Sequence, residues 1–178
     1  MLSFIVEFFP FSGHNIPREV NRMSSKLSLS ATYDWKPVLT SAGKEFEYPG
    51  SLGTNLRGEY SHPALYRWRI QDSGKLVAVA ISETDNLART AALFNEPSAP
   101  QAINRLKSVL SEHVFRGNEI HLDLIALASF EIGGKSLGAQ SLRDSDIRKL
   151  LETLLLHDAK QSGIRLLSTA QEKPTLPF

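Results

Sequence analysis

A polar run follows an apolar, strand-like segment in the middle of the chain, and its residue types suit a binding or catalytic site. The apolar segment covers residues 75–80, and residues 81–88 then carry hydroxyl, carboxylate and amide groups, among them Ser82, Glu83 and Asn86. Loops beside rigid elements commonly carry functional groups, because the element fixes where those groups lie. Residues 81–88 are therefore the first candidate for a site.

Basic residues further along the chain offer a second kind of chemistry, which is contact with phosphate. Arg105, Lys107 and Arg116 fall on or directly after one predicted helix, and cations on one helix face could bind a nucleic-acid backbone. Such contacts would weaken steeply as salt is added. A solvated helix face is the more common explanation for this pattern, so both readings stay open.

Composition excludes several other kinds of site. The chain has 178 residues, 42% of them hydrophobic and 22% charged, which fits one globular domain. The formal net charge of +1 indicates no particular partner. The sequence contains no cysteine, which removes thiolate metal sites and thiol catalysis and suits a reducing cytoplasm, where we expect the protein to be.

Other motifs are absent or incomplete. Gly134, Lys135 and Ser136 resemble the end of a phosphate-binding loop, but the earlier glycine and the following helix are missing. The five histidines show no paired metal-binding spacing. No apolar stretch approaches the roughly 20 residues that a membrane span needs, so no membrane is expected as a partner.

The elements that must position these residues mix strands and helices. Alternating apolar and polar residues predict a strand at 65–70, and a glycine turn joins it to a second strand at 75–81. Asp85 or Asn86 can cap a first helix, and Asp144 or Ser145 can cap a last one. Between these lie a longer helix ending at Gly117 and a third strand at 119–128. The order predicts an α+β fold.

The chain divides into three parts on this reading. Residues 1–62 are an N-terminal extension and a turn-rich irregular segment, residues 63–170 form the domain, and residues 171–178 are a frayed tail. Residues 1–22 have two explanations. They either lie upstream of a natural start at Met23, outside the fold, or form a short strand packed on the core.

Four segments together resemble the GIY-YIG nuclease superfamily, especially its compact restriction-type branch. The segments occur in family order at residues 64–66, 80–87, 100–105 and 148–152, and the resemblance spans about residues 64–168. It implies a small antiparallel three-stranded sheet flanked by helices. It also implies DNA as the partner and, if the site is active, Mg²⁺ as the cofactor.

The resemblance assigns roles to individual residues. Tyr66 takes the place of the first-motif tyrosine, which helps to activate water, and Glu152 takes the place of the glutamate that binds the metal. Arg89 lies nearest to the arginine that stabilises the developing charge. A metal and a guanidinium suit phosphodiester hydrolysis, because negative charge builds on the phosphate oxygens. Residues expected to contact nucleic acid are Arg67, Arg69, Asn104, Arg105, Lys107 and Arg116.

Three positions depart from the family pattern. The second-motif tyrosine falls on Ala80, its glycine on Ser82, and the arginine on Thr90. Arg89 is adjacent to Thr90, but neighbouring helical residues point about 100° apart. Loss of one preorganised charge stabiliser typically costs ~10²–10³ in rate. The sequence therefore predicts a catalytically impaired domain that binds DNA or a DNA-processing partner.

Two other functions stay open. In one, the chain is an active divalent-metal-dependent DNA endonuclease in which Arg89 and a nearby hydroxyl substitute for the missing groups. In the other, it is a protein-interaction module with a protein partner or a second copy. The residues also have plainer explanations, since Tyr66 could simply pack on its strand. Glu152 could be solvated and paired with Arg148, four residues earlier on the same helix.

Overall fold

A computed structural model describes residues 2–8, 27–50, 56 and 58–167, of which 2–8 are described by their backbone alone. The α+β class is confirmed. The strands are β1 Leu2–Phe8, β2 Leu27–Pro37, β3 Ala64–Asp72, β4 Lys75–Thr84, β5 Glu119–Ile132, β6 Lys135–Leu137 and β7 Arg165–Leu166. The helices are α1 Leu87–Leu93, α2 Gln101–Phe115 and α3 Ser145–Gln161. The predicted tail at 171–178 and most of residues 1–22 lie outside the described residues.

The predicted three-stranded sheet is wrong. The described strands form a seven-stranded sheet in the order β1-β2-β5-β3-β4-β7, with β6 paired to β5. The sheet is mixed, because β7 runs parallel to β4 while β3 is antiparallel to both of its neighbours. The three expected strands correspond to β3, β4 and β5. The additional strands are β1 and β2, from the segment expected to be an extension and irregular, and the short strands β6 and β7, with three and two residues.

The chain divides into two compact units, and the smaller contains residues 1–34 and 126–141. Within it β1 pairs antiparallel with β2, and β6 pairs antiparallel with the end of β5. In β2, Leu29, Ala31 and Tyr33 are buried at every second position, as expected of a strand with one covered face. The amide of Gly133 donates to the carbonyl of Ser28 at 2.9 Å, which ties the β5–β6 turn to β2.

The larger unit contains residues 35–125 and 142–178, and its core lies on one face of β3. Tyr66, Trp68 and Ile70 alternate along β3 and are buried together with side chains of α1 and α2. The rings of Trp68 and Phe94 are closest, with centroids 4.7 Å apart. Complete burial of a large apolar side chain contributes about 1.5–3 kcal/mol, so this cluster holds α1 and α2 against the strands.

Side-chain caps fix where α1 and α3 begin. Of the two predicted candidates for each helix, the structure uses Asn86 for α1 and Asp144 for α3. Asn86 accepts from the amide of Arg89 at 2.9 Å, and Asp144 accepts from the amide of Asp146 at 2.8 Å. Such caps contribute about 1 kcal/mol each. Along the described parts of the chain, none of the helices combines the length and apolar character that crossing a bilayer requires.

Candidate functional site

A pocket of about 360 Å³ lies in the larger unit beside the edge of β4. Among the described residues, the short strand β7 pairs with β4 at Ala78 and Val79. The next residues along β4, from Ala80 to Ser82, line the pocket instead. Most of its walls are apolar and come from α2, α3, the end of β7 and the residue that follows α1; they include Phe94, Ile103, Leu106, Leu156 and Leu166.

Tyr66 and Ser82 form one polar corner of this pocket because strand pairing places them opposite each other. They are Cα partners in the antiparallel β3–β4 register. Side chains of directly opposed residues lie on the same face and interact. Burial raises the pKa of Tyr66 to about 12, a hydrogen bond with Ser82 opposes this, and the charge of Glu152 adds to it. Tyr66 is therefore a neutral phenol at physiological pH.

Glu152 of α3 completes the polar part of the pocket. Its side chain is half-buried, and desolvation raises the pKa of its carboxyl above the ordinary value, with the charge of Glu83 adding to the shift. A hydrogen bond with Ser82 favours the charged form. Ser82 therefore interacts with both the Tyr66 side chain and the Glu152 carboxylate.

Arg148, also on α3, is the residue near this site that sequence reasoning did not identify. Its side chain is 1% exposed and donates to the Glu83 carboxylate at 2.8 Å and to the Asp85 carboxylate. It also donates to the carbonyls of Leu142 and Arg143 at 3.0 and 3.1 Å. Arg148 thus pairs with carboxylates of the polar run 81–88, whereas the sequence offered Glu152 as its partner.

The ion pairs of Arg148 distinguish Glu83 and Asp85, which have a counter-ion, from Glu152. Glu83 and Asp85 have Arg148 as a counter-ion. Within the described part of the chain, no Arg or Lys side chain forms an ion pair with Glu152. The negative charge that faces the pocket is therefore that of Glu152, with Ser82 as its hydrogen-bond partner.

The structure does not bring Arg89 to Tyr66 and Glu152. Arg89 is exposed in the first turn of α1 and is not among the residues that line the pocket. The neighbouring Thr90 has its hydroxyl 2.7 Å from that of Thr84. The pocket thus contains the proposed tyrosine and glutamate but not the proposed charge-stabilising arginine.

The six residues expected to contact nucleic acid have different surroundings. Arg67 and Arg69 alternate with the core residues of β3 and both pair with the buried carboxylate of Asp123, at 2.8 and 3.0 Å. Arg69 also pairs with Glu45 at 3.1 Å. Their charges are therefore matched by carboxylates on the protein itself.

The other four lie on α2 or at its end. The Asn104 amide donates to the carbonyl of Ala99 at 2.6 Å, and the Lys107 ammonium donates to the carbonyl of Glu96 at 2.7 Å. Arg116 is exposed, with its guanidinium 3.9 Å from the Glu112 carboxylate. Arg105 is exposed and lies one turn from the pocket-lining Ala102.

The pocket is a poor fit for the Mg²⁺ ion that the resemblance implies. Among the described residues, no group of three or more His, Asp or Glu side chains could hold a metal ion. Mg²⁺ can bind through one or two carboxylates if several waters complete its shell. Here Glu152 is a single carboxylate with a raised pKa, and the apolar walls offer few partners for metal-bound waters.

No family model matches the chain, and neither the curated proteins nor the solved structures contain a match.

Proposed function

We propose that the chain is a GIY-YIG-like DNA-acting domain that cleaves poorly or not at all and binds DNA or a DNA-processing partner. The observation that carries the proposal is the meeting of Tyr66 and Glu152 in one pocket. They come from β3 and α3, which are far apart in sequence, and the resemblance had assigned both to one site. A cytoplasmic location is part of the proposal and agrees with the absence of cysteine.

Three features of the site support weak or absent cleavage. Ala80 lines the pocket where the family has a tyrosine, so that hydroxyl is missing. Arg89 lies outside the pocket. No Arg89 guanidinium is therefore in place to stabilise the negative charge that develops on the phosphate oxygens in the transition state. Among the described residues that line the pocket, Glu152 is the single carboxylate, so a metal would have only one protein ligand of this type there.

The DNA part of the proposal depends most on Arg105. Two of the other expected contacts, Arg67 and Arg69, already pair with Asp123, so they have less positive charge to offer to phosphate. Arg105 is exposed on α2 close to the pocket, so its guanidinium can contact a phosphate of a bound nucleic acid. A nucleic acid bound there would contact the α2 surface.

Each alternative has one observation in its favour. The convergence of Tyr66 with Glu152 would also suit an active Mg²⁺-dependent endonuclease, provided that Arg89 swings toward the pocket. Arg67 and Arg69 pair with Asp123, which neutralises positive charge on the surface expected to bind DNA. This observation favours a protein-interaction module.

A gel-shift titration of the purified chain at several salt concentrations tests the DNA part of the proposal. Duplex DNA, single-stranded DNA and RNA would be compared at equal length. We expect a shift at low salt that weakens steeply as salt rises, because phosphate contacts release counter-ions. If none of the three shifts even at low salt, the nucleic-acid proposal fails and the protein-interaction module takes its place.

A further inference from the structure

We propose that the pocket beside Ser82 binds a small primary ammonium compound with a short apolar body. The inference does not rest on DNA binding, because it follows from the charge and shape of the pocket. A chain that shifts no nucleic acid would still be expected to bind such an amine.

The carboxylate of Glu152 has no counter-ion within the described part of the chain. The other acidic side chains nearby, Glu83 and Asp85, have Arg148 as a counter-ion. Glu152 faces the same pocket as a cluster of apolar side chains, and no ion pair joins it to an Arg or Lys of the described chain. A partly desolvated carboxylate without a counter-ion is unfavourable. A cationic ligand would supply the missing charge.

Several hydrogen-bond acceptors lie around the Glu152 carboxylate. An ammonium group has three N–H donors and no acceptor. The Glu152 carboxylate can take one, and the oxygens of Ser82 and Tyr66 lie in the same pocket. The amide of Leu167 donates to the carbonyl of Val79 at 2.8 Å. Since backbone groups alternate in direction along a strand, the carbonyl of Ile81 is directed to this same edge.

The size and lining of the pocket suit a small ligand with an apolar part. A volume of about 360 Å³ lies at the small end of the range for ligand pockets, roughly 300–1,000 Å³. Ile103, Leu106 and Leu156 offer an apolar surface for an alkyl or aryl group next to the acidic end. An anionic ligand would instead place its charge against Glu152, so phosphate and carboxylate compounds are disfavoured.

Calorimetric titration of the purified chain with three matched probes tests the proposal. The probes are 2-phenylethylammonium, the neutral 2-phenylethanol and the anionic 3-phenylpropionate. The ammonium probe should bind at least about tenfold more tightly than the alcohol, the effect of a hydrogen bond to a charged group, and the anion should not bind. Its affinity should rise with pH as Glu152 ionises.

Two variants and one control make the result specific to this pocket. Glu152→Gln keeps the shape of the side chain and should lose about tenfold in affinity for the ammonium probe. Ala102→Trp fills the pocket from an exposed position on α2 and should abolish binding while circular dichroism stays unchanged. Glu131→Gln, an exposed carboxylate outside the pocket, should bind like the parent. Equal binding of alcohol and amine, unchanged binding in Glu152→Gln, or no binding at millimolar probe would overturn the proposal.

Discussion

Arg148 on α3 donates from Nε to the Glu83 carboxylate at the end of β4, at 2.8 Å, with 1% of its own side chain exposed. The same guanidinium donates to the Asp85 carboxylate, so one buried cation pairs with both acidic residues of the polar run 81–88. It connects the helix that carries Glu152 to the strand that carries Ser82. The geometry of the pocket therefore depends on Arg148, although Arg148 does not line it.

Replacing Arg148 by methionine should destabilise the protein substantially. Removing one partner of a buried ion pair costs about 3–5 kcal/mol, and about 3 kcal/mol is expected here because the Glu83 side chain is partly exposed. Urea unfolding of the Arg148→Met chain would measure the loss in free energy of unfolding. Lys149→Met, an exposed neighbour on the same helix, is the control. An equal, small effect in both variants would mean that Arg148 does not hold α3 to β4.

Glu152→Gln should raise stability at neutral pH. The pKa of Glu152 is higher in the folded chain than its ordinary value of 4.5, so the folded state binds more protons between these two values. Stability is then greatest below the unfolded pKa and falls as pH rises through the folded pKa. Glutamine cannot ionise, so the variant escapes this loss.

The melting temperatures of the parent and Glu152→Gln, measured from pH 4 to pH 8, would show this effect. The variant should melt higher than the parent at pH 7, and the difference should shrink toward pH 4. Glu131→Gln serves as an exposed control and should track the parent throughout. A difference that stays constant with pH would show that the ionisation of Glu152 does not differ between the folded and unfolded states.

Arg105→Ala should weaken binding to duplex DNA and reduce its salt dependence. If Arg105 contacts one phosphate, the slope of log affinity against log salt should fall by about 1. Fluorescence anisotropy with a labelled duplex at four or more salt concentrations would give both slopes. Lys160→Ala, at an exposed position in the last turn of α3, should leave the slope unchanged. Identical slopes for Arg105→Ala and the parent would remove Arg105 from the DNA surface.

Local signals in the sequence predicted much of the larger unit. The β3–β4 hairpin follows from alternation and the turn at Gly74, whose φ of 77° suits glycine. The helix starts at Asn86 and Asp144 follow from capping chemistry, which depends on a few adjacent residues. These features are local, so one sequence is enough to predict them.

Features that depend on contacts between residues far apart in the sequence could not be predicted from local patterns. Arg148 occupies an amphipathic helix at a position that sequence reasoning would leave solvated, and its partner Glu83 is 65 residues away. The two-residue strand β7 is too short to show any alternation. In the part of the chain that the structure describes, β7 pairs with β4 at Ala78 and Val79, and the following residues of β4 line the pocket. The sequence therefore predicted β4 and the start of α1, but not the pocket beside them.

A plasmid nicking assay in Mg²⁺ and in Mn²⁺ tests most directly the claim that Tyr66 and Glu152 belong to a nuclease-like site that has lost efficient cleavage. The parent and Glu152→Ala would be purified and assayed in parallel at equal concentration. We expect both proteins to leave supercoiled plasmid intact to the same extent, with or without metal. Metal-dependent nicking by the parent that disappears in Glu152→Ala would contradict the claim and identify an active endonuclease.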